Sequence, residues 1–79
     1  MIFRFHHNRH GAHVRIGVFA AKAPDLTFEK LGELTLRLEE WPALRALLHA
    51  SPGFVGVHGR DEGGTIDVAS PGADPDPVF

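Results

Sequence analysis

The sequence contains no cysteine. Disulfides, thiolate nucleophiles, iron–sulfur clusters and cysteine-based zinc fingers are therefore excluded. No apolar run approaches the ~18 residues that a membrane-spanning helix needs. Arg4 and His6 interrupt the segment where a secretory leader would carry its apolar stretch. These absences read as a soluble, cytoplasmic protein with no membrane association. The chain has 79 residues, 43% of them hydrophobic, enough for one small core and not for two. A core of that size contributes only a few kcal/mol, which leaves little margin for a deep enzyme cleft.

Acidic charge is missing from one end. Residues 1–24 hold Arg4, Arg9, Arg15 and Lys22 with no Asp or Glu, and four of the six histidines lie there too. Residues 51–79 carry Arg60 against Asp61, Glu62, Asp67, Asp74 and Asp76. The formal net charge of −2 hides this division. Such asymmetry points to an anionic partner at the N-terminal end, or to two ends that face each other in the fold.

Regular alternation marks the strands. In Ile2–His7, Phe3 and Phe5 alternate with Arg4 and His6, and Val14, Ile16 and Val18 alternate with His13, Arg15 and Gly17. Both read as half-buried strands. Asn8-Arg9-His10-Gly11 between them suits a type I turn. A four-residue loop there sets His7 opposite Ala12, His6 opposite His13 and Phe5 opposite Val14. All the apolar side chains then share one face, whereas a one-residue slip mixes the faces. Leu34, Leu36 and Leu38 alternate with Glu33, Thr35 and Arg37, a third strand. Phe28 and Leu31 are spaced for a single helical turn.

Glu39–Ala50 is the one helical stretch, with Trp41, Leu44, Leu47 and Leu48 at helical spacing. Pro42 places its start near Glu39 or Glu40, and Ser51-Pro52-Gly53 stops it. Phe54–His58 and Thr65–Val68 are short β-prone stretches around a glycine-rich loop at 59–64. The domain is expected to span 1–68. Residues 69–79, ASPGADPDPVF, read as a Pro/Asp-rich tail pinned at most by Val78 and Phe79. The predicted fold class is α+β: an antiparallel sheet of three to five short strands, led by a β-hairpin, with one amphipathic helix on its apolar face. The expected core is Phe3, Phe5, Val14, Ile16, Val18, Leu34, Leu36, Leu38, Trp41, Leu44, Leu47 and Leu48.

Four groups of residues carry candidate chemistry. First, His6 and His13, opposed across the hairpin, have the spacing of two metal ligands, with His10 or His58 as a third. Arg4 and Arg15 beside them would repel a cation. Second, Arg4, His6, His13 and Arg15 form an outward quartet, with Arg9 and His10 at the tip, a surface for phosphates of a nucleic acid. The sequence pI of about 6.3 and the lack of an outward aromatic platform weigh against it. Third, no nucleophile, base and orienting group fall together, so no enzymatic activity and no cofactor are expected. Fourth, Phe19 beside Gly17 and Arg15 on the outer face of the second strand offers an apolar contact for a protein partner or a second subunit.

Residues 32–48, GELTLRLEEWPALRALL, resemble small accessory proteins encoded by bacteriophages of high-GC bacteria. In these a Leu-alternating strand runs straight into a Glu-Glu-Trp helix start after an N-terminal hairpin. The resemblance implies an accessory factor of the host-cell cytoplasm that contacts a host or virion component. Its motif is structural, so it assigns no functional residue. The leading expectation is a non-catalytic binding protein acting through protein–protein contact. Nucleic-acid contact through the first hairpin comes second, and histidine-based metal binding third.

Overall fold

A computed structural model describes residues 1–21, 27–60 and 62–70. Five strands and one helix follow in the order β1 (Ile2–His10), β2 (His13–Ala21), β3 (Glu29–Arg37), α1 (Trp41–His49), β4 (Phe54–Arg60) and β5 (Gly63–Ala69). The strands form one antiparallel sheet ordered β3-β2-β1-β5-β4. The molecule is thus α+β, though mostly sheet.

The first hairpin is tighter than its sequence suggests. β1 continues through Asn8, Arg9 and His10, so His10 pairs with His13 and the loop shrinks to Gly11-Ala12. Gly11 adopts φ 60°, the left-handed backbone that two-residue hairpin loops require and glycine supplies without strain. Three further residue pairs, made by Asn8, Arg9 and His10, favour this loop over the expected four-residue turn. Relative to the expected register every partner moves by four. His6 faces Gly17 instead of His13, and Phe5 faces Val18 instead of Val14. Four is even, so the inward set is unchanged even though the pairs differ.

The second hairpin, β4–β5, is likewise longer than expected, with Arg60 paired to Gly63. β3 begins at Glu29, so the stretch around Phe28–Leu31, whose spacing also fits a helical turn, leads into a strand. A register shift between Val18 and Phe19 leaves Leu31 as an extra residue in β3. A second shift leaves Val55 extra in β4. β5 runs to Ala69, and the Ser70 N–H donates to the Met1 carbonyl at 2.9 Å, so the described chain stays in the sheet past the expected boundary at 68. The rest of the expected tail, including Val78 and Phe79, lies outside the described residues, as does Lys22–Leu26.

Helix α1 lies on the face that carries Phe5, Val14, Ile16, Ile66 and Val68. Its only buried residue is Trp41. Val14, Ile16, Trp41, Ile66 and Val68 form the buried cluster, and Phe5, Val18, Leu36, Leu38, Leu44, Leu48 and Phe54 pack around it. Three expected core residues are not in it: Leu47 is 69% exposed, Leu34 is 40% exposed, and Phe3 is half-buried outside the cluster. A nine-residue helix cannot roof a five-stranded sheet. It runs from His7, whose ring centroid is 4.7 Å from that of Trp41, to Phe54, 4.8 Å from the His49 ring. Among the described residues the β3 margin of the apolar face is left open.

Candidate functional site

The helix-free face of the sheet contains two unlike halves. Near the start of β1, Arg4 donates to both carboxylate oxygens of Asp67, at 2.9 and 3.0 Å. Its guanidinium lies 4.1 Å from the centroid of the Phe28 ring. The carboxylate bond raises the Arg4 pKa above its ordinary value. Arg4 is therefore engaged within the fold and is not part of an outward cationic quartet. Phe19 lies nearby, with its ring over Gly17: a Cβ at Gly17 would sit 3.1 Å from Phe19 Cε1. Gly17 is buried. The flat, open position expected beside Phe19 is thus filled from within, and β2 is an interior strand rather than an edge.

The hairpin half is polar. By register, His6 and His10 on β1, His13 and Arg15 on β2, Arg37 on β3 and His58 on β4 occupy this face. A shallow cavity of about 310 Å³ is lined by His10, His13, Arg15 and Thr35. Arg9 falls on the opposite register, facing Val14, and its N–H donates to the Glu62 carbonyl at 2.8 Å. The expected His6–His13 ligand pair does not form, because the tighter loop separates them by four register positions. Among the described residues no three His, Cys, Asp or Glu side chains converge as metal ligands.

On the helix side, His7 is buried against Trp41 and lines a cavity of about 350 Å³ with Arg45, His49, Val57 and Arg60. Sequence alternation places His7 on this face, but the cavity depends on where α1 ends and carries no sequence signal.

The third feature is the outer edge of β3. Among the described residues no strand lies beyond it. Eight of its nine residues are exposed, and Leu36 is half-buried. The Leu38 N–H donates inward to the Ala12 carbonyl at 2.8 Å, whereas the Arg37 N–H points away from β2 and donates to Glu40 Oε1 at 2.9 Å. Main-chain groups alternate along a strand, so those of Glu33, Thr35 and Arg37 point outward and those of Leu34 and Leu36 point to β2. Glu33 draws Lys30 Nζ to 3.8 Å and Arg15 Nε to 3.9 Å. Alternation in Glu33–Leu38 signals a strand; that it is an edge follows only from the sheet order.

Among the described residues no helix is long and apolar enough to cross a membrane. Comparison with protein-family models, curated proteins and solved structures finds no match for this chain.

Proposed function

We propose that this chain is a non-catalytic binding protein that acts by protein–protein contact, and that the contact is made along the outer edge of β3. One observation carries the reading: a nine-residue strand with no further strand beside it among the described residues, whose Glu33 and Thr35 main-chain groups point outward beside exposed leucines, Leu31 at 59% and Leu34 at 40%. An uncovered edge is a template for a further strand. Natural edges are usually blunted by proline, a bulge or charge. Here the bulge and Lys30 lie in the first half; Glu33–Arg37 is regular and free of proline, and its two charges are of opposite sign. A partner strand added there gains main-chain bonds from Thr35 and Glu33 and an apolar contact from Leu34. The partner is a protein strand, either of a host or virion component or of a second copy of this chain. Phe19, Gly17 and Arg15 contribute only as the layer beneath.

Thr35→Pro tests this. It removes an outward N–H and no bond to β2, so the fold tolerates it. Capture from a host lysate is expected to lose its specific bands with Thr35→Pro and keep them with Val55→Glu on the opposite edge. Bands that survive Thr35→Pro contradict the reading.

The clustering of Arg15, Arg37 and four histidines on the helix-free face supports a second reading, contact with nucleic-acid phosphates. It predicts saturable DNA binding by fluorescence anisotropy that weakens with salt and is lost with Arg15→Ala plus Arg37→Ala.

A further inference from the structure

We infer that a second copy of this chain occupies the β3 edge, paired antiparallel about a two-fold axis at Thr35. The inference rests on the reading of that edge as the contact surface and names its occupant. In antiparallel pairing, directly opposed residues share a face, so a two-fold axis must pass through one residue of the strand. An axis at Glu33 opposes Glu33 to itself, and an axis at Arg37 opposes Arg37 to itself. An axis at Leu34 sets Glu33 against Thr35, and one at Leu36 sets Thr35 against Arg37. Only the axis at Thr35 opposes Glu33 to Arg37, and symmetry makes that pair twice. On the same axis Leu34 meets Leu36 twice on the helix side, where Leu34 is 40% exposed and α1 leaves the sheet uncovered. The outward main-chain groups of Glu33, Thr35 and Arg37 coincide in this register. The extra residue Leu31 ends the regular edge, which confines the pairing to Glu33–Arg37.

Glu40 opposes this pairing. Its Oε1 accepts the Arg37 N–H at 2.9 Å, an exposed bond, and so occupies one outward donor that the partner strand needs. Glu40 lies at the start of α1 without capping it through its side chain. It therefore acts as a competitor for the edge. Removing its carboxylate frees the Arg37 N–H for the second copy.

Sedimentation equilibrium of the full chain tests the inference. The mass is expected to rise with concentration from 8.6 kDa toward twice that value. Glu33→Arg and Arg37→Glu are each expected to weaken the dimer about tenfold by opposing like charges, and the double swap to restore it. Glu33→Arg also faces Arg15 within one copy, so circular-dichroism melting accompanies each variant. Glu40→Ala is expected to tighten the dimer, a gain that damage to the fold cannot produce. A chain that stays at 8.6 kDa up to about 1 mM overturns self-pairing. In that case lysate capture with Thr35→Pro still decides whether the edge binds another protein. A dimer indifferent to all four variants overturns both the register and the use of this edge.

Discussion

Arg4 shows how a residue's surroundings change its role. In sequence it alternates with phenylalanines and reads as one of an outward cationic set. In the fold Asp67, opposite it on β5, is buried, and the two side chains form a bidentate pair. Removing Arg4 leaves a buried carboxylate without its cation. Arg4→Ala is therefore expected to cost about 1–3 kcal/mol in denaturant unfolding, at the lower end because the guanidinium is 38% exposed. Arg4→Lys keeps the charge but loses the fork and is expected to fall between. The folded-state pKa of Arg4 is raised, so its contribution is complete below the ordinary arginine value and is lost only as pH climbs through the raised one. From pH 5 to 9 this residue adds no pH dependence to stability. Gly64 is a second case. A Cβ there would collide with the His58 carbonyl oxygen and lie 3.0 Å from Gly59 Cα, both backbone. Gly64→Ala is expected to destabilise by about 2–4 kcal/mol, read as a lower melting temperature, because the β4–β5 hairpin must open to admit one methyl.

Elements were legible in the sequence where their pattern was long and their ends were marked. Alternation at Phe3, Phe5, Val14, Ile16 and Val18 gives the correct inward face, because parity survives the four-residue change in register. The pairing itself was not legible. Asn8-Arg9-His10-Gly11 satisfies a turn, yet Asn8, Arg9 and His10 extend β1 once Gly11 takes the left-handed backbone. That one difference separated His6 from His13. The helix start was fixed by Pro42, which the structure places in the first turn. Its reach was overestimated because Leu47 fits the helical spacing but lies beyond what the sheet covers. Trp41 is the exception, 3% exposed and in contact with His7. Trp41→Ala is expected to cost about 3–5 kcal/mol of stability. Leu34→Pro and Thr35→Pro separate the two sides of β3. The first removes an inward bond to β2 and is expected to unfold at lower temperature. The second is expected to melt within a few degrees of the parent, about what loss of an outward group costs.

For the molecule as a whole, the deciding quantity is coverage. One nine-residue helix roofs part of one face of five strands, and neither outer strand has a second neighbour among the described residues. The charge division seen along the chain is partly resolved by the sheet order, which sets β1 beside β5 and pairs Arg4 with Asp67. What remains outward is the Arg and His half around the first hairpin and the leucine-bearing edge of β3. No feature of the sequence alone separates an edge strand from an interior one, since Glu33–Leu38 and His13–Val18 alternate alike. The order β3-β2-β1-β5-β4 is long-range information, and the candidate contact surface follows from it.

Amide hydrogen exchange along β3, followed by NMR as protein concentration is raised and then with host lysate added, tests the edge directly. In dilute protein the Leu34 and Leu36 amides, bonded to β2, are expected to exchange slowly, and the Glu33 and Thr35 amides quickly. Contact at the edge is expected to slow Glu33 and Thr35 while leaving Leu34 and Leu36 unchanged. If Thr35 keeps exchanging freely under both conditions while residues of the helix-free face respond instead, the β3 edge is not where this protein binds.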